Sequence, residues 1–533
     1  MRFMGIAGIV TLLLIAFLLS NNRRRIAYRT VFWGLFLQIL FAGIILGENS
    51  LSFISMFILL GLVLIFLNKN ALSQGRFLIP VAGAVALSVL AAVFNFTAPL
   101  FWITLVIIFF NSITKKYIFQ HGLVTLLLAD GYAWLVDNGI NGKRIFAFLS
   151  DKVERFLSLS DYGAEFLFGN LAKKEYFFPP ESTWPGFGYQ FAFSVLPVII
   201  FFASFMSILY YLGIMQKIIN ALARFMQWTM GTSGAETLSC SANIFVGQTE
   251  APLIIRPFLK DMTLSEILTV MVGGFATIAG GVLAGYIRMG ISAGHLIAAS
   301  VMSAPAALMI GKIIFPETER SKTAGEVEVP RDVVKATNLL DAASRGVTDG
   351  LKLAVNVGAM LIAFIALIGL LDSILSLLDR LIDGAILKGK YIAYSTPSGF
   401  SPIRGEYEGV FPGSLKTIFG AIFSPLAFLM GVPWQDAKEV GNLLGIKIAL
   451  NEFVAYSSLA QLKAASVLSE KAVIVATYAL CGFANFASIG IQIGGIGALA
   501  PERRSDLSKV ALKAMFGGAI ASWITACIAG ILL

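Results

Sequence analysis

The sequence predicts an all-α polytopic membrane protein with the architecture of an inverted-repeat transporter, and three observations carry that prediction. Apolar residues make up 57% of the 533-residue chain, charged residues only 13%, and the mean hydropathy is +0.82. Soluble domains hold about 45–50% and about 25%. A short pattern occurs twice, 208 residues apart: Asn243-Ile244-Phe245-Val246-Gly247 is echoed by Asn451-Glu452-Phe453-Val454-Ala455. Downstream, Gly274-Phe275-Ala276 is echoed by Gly482-Phe483-Ala484 at the same offset, with Thr269 and Thr477 in register. Two spaced matches at one offset argue for a duplicated unit. In a membrane protein that is the usual mark of a secondary transporter, whose substrate site lies between the repeats near the bilayer midplane.

The formal charge of +9 and pI near 9.3 do not imply a nucleic-acid partner, because Lys and Arg sit in short loops between apolar runs. That is the positive-inside bias. Three cysteines (Cys240, Cys481, Cys527) and two histidines (His121, His295) exclude a disulfide framework and a spaced metal cluster; the cysteines lie in apolar runs and read as packing residues.

The elements follow in order. Phe3 to Leu19 is a retained span rather than a signal peptide, since the basic cluster Arg23-Arg24-Arg25 follows the apolar run. Val31 to Leu46 returns outward. Four more spans are expected at about 51–67, 77–93, 98–113 and 121–136, with Lys69, Arg76, Lys115 and Lys116 inside and Asn95-Phe96-Thr97 outside. Residues 137–188 space Lys143, Arg144, Asp151, Lys152, Glu154 and Arg155 among aromatic and aliphatic residues, the pattern of an interfacial amphipathic helix. Pro179, Pro180 and Pro185 break the chain before a span at 189–212, and Lys217 and Arg224 mark the inside after it. A polar segment at 232–260 precedes spans at 266–287 and 295–314 and a charged loop from Glu317 to Asp332. A span at 353–371, a polar outer loop at 379–416, a second polar hairpin at 434–465, an interrupted span around 482–488, the inside loop Glu502-Arg503-Arg504 and a last span at 511–533 complete the chain.

The two polar hairpins concentrate the chemistry. In hydrocarbon every backbone polar group needs a partner, so a stretch such as Gly247-Gln248-Thr249-Glu250-Ala251-Pro252 survives at depth only by lining a cavity or packing within protein. An aqueous loop would be polar too, but apolar residues flank this tip on both sides. Glu250 and Glu452 add carboxylates that cost about 2.5–3.5 kcal/mol near the bilayer centre and are usually functional. The segments 273–281 and 481–488 mix glycine, hydroxyl and amide groups into apolar spans, where a helix unwinds readily. Unwound backbone frees carbonyls for a cation and exposes helix N-termini to polar substrate groups. Close packing by small residues explains the glycines equally well, but not Asn485 and Ser488.

These residues resemble those of the concentrative nucleoside transporters. The resemblance rests on Asn243 through Leu253, on Asn451-Glu452-Phe453-Val454-Ala455-Tyr456 and on Cys481-Gly482-Phe483-Ala484-Asn485 with Ser488, and covers residues 1–48 and about 150–533. It implies a homotrimer in the cell inner membrane of a bacterium. Each protomer would hold a scaffold and a transport domain with two re-entrant helical hairpins and two broken transmembrane helices. It implies import of nucleosides driven by sodium. Gln248 and Thr249 would contact the base, with Glu250 nearby through water; Val282 and Phe483 would give apolar contact; Glu452, Asn485 and Ser488 would bind the ribose hydroxyls. The sodium site would use the side chain of Asn243, the carbonyls of Val246 and Ile278, and the hydroxyl and carbonyl of Thr277, where family members often have serine.

The organisation implied is 1–48, first scaffold helices; 49–149, extra spans outside the family's compact bacterial form and without a readable motif; 150–231, interfacial and scaffold helix; 232–316, first transport repeat; 317–433, cytoplasmic loop, scaffold helix and outer loop; and 434–533, second transport repeat. Coupling to protons would use nearly the same residues. A membrane-embedded hydrolase working through Glu250 and Glu452 lacks a metal cluster or activated nucleophile. A nucleoside-responsive gate protein would not require a complete cation site.

Overall fold

The computed structural model describes residues 2–68, 97–114, 120–177, 188–325, 336–394 and 402–533, with isolated positions between 83 and 94. The span expected at 77–93, the loop charges Lys69, Arg76, Lys115 and Lys116, and Pro179, Pro180 and Pro185 lie outside the described residues. Two compact units result: Met1–Gln38 with Ser150–Leu533, and Ile39–Leu149.

The chain is mostly helical because its apolar runs can hide their backbone polar groups only by internal hydrogen bonding. Numbering the described helices in order, α1 (Arg2–Leu18), α2 (Tyr28–Leu46) and α3 (Asn49–Leu67) match the first three apolar runs, and α4 (Thr97–Thr114) and α5 (Gln120–Asp137) the two before the amphipathic region. Within the smaller unit, Asn68 donates to Thr125 Oγ1 at 3.2 Å and Tyr132 to the Phe53 carbonyl at 3.2 Å, tying α5 to the α3 side. The amphipathic segment forms α6 (Gly142–Ser158) and α7 (Ser160–Phe168). Its charged face carries the pair Asp151–Arg155, and Phe156 packs on Phe201 and Phe205 at ring separations of 5.0 and 4.5 Å.

Next come α8 (Phe191–Ser194), α9 (Leu196–Tyr211) and α10 (Ile214–Met230). Lys217 and Arg224, expected to mark the inside after the preceding span, lie on this last helix, which buries Met215, Ile219, Ala223 and Met226. The duplicated halves then align element by element. The first holds α11 (Gly234–Ala242), α12 (Glu250–Ile254), α13 (Leu264–Ala276), α14 (Gly280–Arg288) and α15 (Ala293–Ile314). Between the halves runs α16 (Leu339–Asp379), then α17 (Leu415–Leu429). The second half holds α18 (Trp434–Ala449), α19 (Glu452–Ala464), α20 (Glu470–Leu480), α21 (Phe486–Leu499) and α22 (Arg504–Leu532). Seven helical segments among the described residues are long and apolar enough to cross a bilayer, and α17 with α18 forms a further pair bent by 118°.

Two stretches differ from the sequence expectation. The span expected at 353–371 is a helix of 41 residues. Hydropathy loses it before 353 because Asp341, Arg345, Asp349 and Lys352 are charged, yet an Asn338 cap and the Asp341–Arg345 pair hold the first turns. The loop expected at 379–416 opens with a π-helical turn, Arg380–Ile386, and contains an antiparallel strand pair, β1 (Tyr391–Ala393) with β2 (Gly405–Tyr407). Asp372, Asp379 and Asp383 accept from the backbone N–H groups of Leu415, Tyr407 and Phe411 at 2.7, 3.0 and 2.8 Å. The side chains of one helix thus pin the returning chain and set where α17 begins.

Glu406 clasps this returning segment, accepting from Ser414 and Thr417 at 2.5 and 2.6 Å and from the Tyr394 hydroxyl. Burial pushes its carboxyl up, but the three hydroxyl donors and the charge of Lys438 outweigh burial and hold it below the usual glutamate value. A depressed carboxylate contributes stability above the unfolded value, about 4.3, and loses it as pH falls through the folded value. Hydrogen exchange of the β1–β2 amides, taken relative to the intrinsic rate at each pH, should therefore quicken on acidification below about pH 4. Glu406→Gln should quicken it at pH 7 and flatten that acid dependence.

Candidate functional site

Each duplicated half contains two helices that stop and restart. The gaps are 243–249 between α11 and α12, Thr277–Ala279 between α13 and α14, 450–451 between α18 and α19, and Cys481–Asn485 between α20 and α21. Two restarts are capped by asparagine, with Asn451 accepting from the Val454 N–H at 2.9 Å and Asn485 from the Ser488 N–H at 2.8 Å. Asparagine at the N-cap satisfies an orphan donor of the new helix. The first turns of α12, α14, α19 and α21 all line one cavity of about 780 Å³. Helix N-termini carry partial positive charge, so this wall favours acceptor groups. The cavity's other wall comes from α9, with Phe202, Ser207 and Tyr210, and from α16, with Asp349, Lys352 and Asn356.

All eight residues expected to meet substrate, Gln248, Thr249, Glu250, Val282, Glu452, Phe483, Asn485 and Ser488, line this cavity. Glu452 is 5% exposed; its carboxylate accepts from the Tyr286 hydroxyl at 3.0 Å and from the Asn485 amide at 3.3 Å. Gln248 donates to Ser488 Oγ at 3.2 Å and accepts from the Gln492 amide at 3.0 Å, so the two halves meet through side-chain hydrogen bonds inside the site. The Glu250 carboxylate lies over Gly247, where a Cβ would fall 2.3 Å from it. A side chain at that position would require the Glu250 carboxylate to move.

Of the four residues expected around a cation, Asn243 and Val246 lie in the first gap and Thr277 and Ile278 in the second. The Gly280 N–H donates to the Phe245 carbonyl at 3.1 Å and joins these two gaps. Asn243 is fully buried, and neither amide atom of its side chain has a hydrogen-bond partner among the described residues. A buried amide left open is costly, which a hard cation at its oxygen would relieve in part. Thr277 departs from the expected arrangement in part, since its hydroxyl donates to the Gly273 carbonyl at 2.8 Å and its carbonyl accepts from the Phe483 N–H at 3.2 Å. Each oxygen keeps a free lone pair.

Sequence reading missed Gln492 and Tyr286. Gln492 is fully buried and donates to Gln248 and, at 3.2 Å, to the Met271 carbonyl. The signal was there: Ser488 and Gln492 are four residues apart on an apolar helix and share its cavity side. Tyr286 stands four residues after Val282 in the same way, stacked on Tyr456 at 4.3 Å.

Three family models match the chain: "Na+ dependent nucleoside transporter N-terminus" at residues 7–58, "Nucleoside recognition" at 192–293, and "Na+ dependent nucleoside transporter C-terminus" at 295–530. An uncharacterized transporter of Haemophilus influenzae is 43% identical over 412 residues, which cover 76% of this chain and 90% of that protein. The chain belongs to the Na+-dependent nucleoside transporter family. It is also 46% identical over 400 residues to sodium/nucleoside cotransporter 1 of Rattus norvegicus, covering 73% of this chain and 56% of the relative. The chain thus spans just over half the length of such curated relatives. Its fold resembles CNTnw in an inward-facing substrate-bound state, with a TM-score of 0.72 and 32% identity over 100% of this chain and 98% of that one. A double variant of CNTnw in an outward-facing state gives 0.72 and 31%, covering 100% and 97%. The family is one of transporters, not of enzymes.

The Gln492 contacts yield a test. Gln492→Leu takes the Gln492 donor from the Gln248 oxygen and the second, side-chain donor from the helical Met271 carbonyl, at about 1–3 kcal/mol for the buried group left open. Thermal unfolding of the purified variant in detergent should show a lower Tm, and Gln492→Glu, which removes the donor but not the bulk, should fall similarly.

Proposed function

We propose that the chain imports nucleosides in symport with sodium across the cell inner membrane, as a homotrimer whose two re-entrant hairpins and two broken helices form the moving site. The observation that carries this reading is the gathering of Glu452, Asn485, Ser488 and Gln248 around one cavity, with the open amide of Asn243 behind it. The names of the relatives, sodium/nucleoside cotransporters, agree with it.

The chemistry follows from the donors and acceptors. Ribose presents neighbouring hydroxyls, and the Glu452 carboxylate is a strong acceptor for them, with Asn485 and Ser488 completing the ribose side. Gln248 and Thr249 read polar edges of the base, Glu250 acts nearby through water, and Val282 and Phe483 cover its faces. Sodium is taken by the Asn243 oxygen, the Val246 and Ile278 carbonyls and Thr277, all on the gaps that position Gln248 and Thr249. Ordering those gaps by the ion favours substrate binding, and by linkage the substrate favours the ion.

Uptake of radiolabelled uridine into proteoliposomes tests the reading, under a sodium gradient, a proton gradient or neither. Sodium should drive accumulation; accumulation that follows only the proton gradient overturns the choice of ion. Glu452→Gln should cut uptake at least tenfold, the order expected when a charged acceptor is lost from a buried site. Near-normal uptake by the purified variant would remove the ribose role.

Asn243→Ala and Thr277→Val each delete an oxygen proposed for sodium. Both should raise the sodium concentration for half-maximal uptake several-fold while changing uridine affinity at saturating sodium little. A sodium dependence identical to the parent in both variants would place the ion elsewhere.

A further inference from the structure

One lysine among the repeat helices is buried without an ion pair among the described residues. Lys447, in the last turn of α18, is 0% exposed, and its Nζ donates to the Ala479 carbonyl of α20 at 3.0 Å. The other buried lysines of this fold meet carboxylates: Lys312 meets Glu236 at 2.8 Å and Glu317 at 3.4 Å, and Lys416 meets Glu439 at 2.8 Å. Lys447 touches no carboxylate among the described residues. An ammonium taken out of water needs compensation from somewhere.

Its surroundings show where that compensation lies. Ala479 belongs to the final turn of α20, where outward-pointing carbonyls carry partial negative charge. That turn ends at the gap Cys481–Asn485, and Asn485 holds the Glu452 carboxylate at 3.3 Å. Along the chain, Lys447 comes five residues before Glu452, across the gap between α18 and α19. Glu452 for its part is held by two uncharged donors, Tyr286 and Asn485. Opposite charges on the two sides of one short helix gap attract through a low-dielectric interior without contact.

We infer that Lys447 is a built-in counter-cation for Glu452, a tethered positive charge that balances the carboxylate of the second hairpin and keeps it placed for substrate. The inference rests on the ribose role proposed for Glu452. It also explains an asymmetry between the halves. The residue at the register position of Lys447 in the first half, 208 earlier, is Ser239, whose buried hydroxyl has no hydrogen-bond partner among the described residues. The first half therefore has no fixed cation at that position and, in the proposed reading, takes a dissolved one beside Asn243. A cation that must be carried and released cannot be tethered. One that only balances charge can be. Lys447 is thus a positioning residue acting through Glu452.

The test uses the full-length purified chain and two radiolabelled ligands, uridine and 2′,3′-dideoxyuridine, which lacks the ribose hydroxyls Glu452 would accept from. Lys447→Met should weaken uridine binding about tenfold and leave dideoxyuridine binding within about twofold, Lys447→Arg should restore most of the loss, and Lys447→Met should add nothing in a Glu452→Gln background. Equal weakening of both ligands, or an additive double variant, would reduce Lys447 to a packing role and overturn the inference. If Lys447→Met does not fold, Lys447→Gln, which keeps a donor toward Ala479 but no charge, makes the same comparison; uridine binding equal to the parent then overturns it. The two readings fail separately. Glu452→Gln with undiminished preference for uridine removes the ribose role, whereas loss of that preference in Glu452→Gln but not in the Lys447 variants removes only the counter-cation.

Discussion

The gaps in α13–α14 and α20–α21 are held by each other. A helix broken inside hydrocarbon leaves N–H and C=O groups that no water can reach. Here the Phe483 N–H of one gap donates to the Thr277 carbonyl of the other at 3.2 Å. The approach is so close that Gly482 takes φ +138°, and a Cβ there would lie 2.6 Å from the Phe275 carbonyl. The rest of the core accommodates this crossing: a Cβ on Gly518 of α22 would lie 2.3 Å from that of Phe275, and Ser522 of the same helix donates to the Cys481 carbonyl at 2.6 Å. Cavity, helix gaps and open Asn243 amide belong to the same repeat helices as these two backbones, which satisfy one another.

Charge is distributed to suit that arrangement. Away from the cavity, Glu236 and Glu266 each close a capping box at the start of α11 and α13, and Lys312 near the end of α15 bridges Glu236 to Glu317. Such buried networks favour one placement of helix ends more than they add net stability. At the cavity the Glu452 carboxylate is held by neutral donors instead, and in the proposed function it exchanges one of them for a ligand. Fixed charges at the helix ends and exchangeable hydrogen bonds at the tips divide positioning from binding.

Much of this was legible in the sequence because the membrane imposes simple rules. Runs such as Tyr28–Leu46 and Ala293–Ile314 had to be helices, and the 208-residue repeat pointed to the stretches where helices stop and restart before any coordinates. Charged helical turns were less legible. The first turns of α16 and most of α10 were hidden because hydropathy cannot tell a polar helix from a polar loop. The strand pair at 391–407 and its clasp at Glu406 depend on donors from two separate stretches, Tyr394 and the Ser414–Thr417 start of α17, that no local pattern links to Glu406.

By itself the sequence determined the helical membrane class, the duplication and the residue types of the site, since composition and a repeated motif act locally and survive in any arrangement of the chain. Tertiary structure alone decided which of those residues share a cavity. Gln248 meets Ser488 and Gln492 across some 240 positions, and Tyr286 meets Glu452 across 166. Partnerships of that range depend on how helices cross, and the crossing is set by packing at glycines and by paired backbone gaps, neither of which a one-dimensional pattern records.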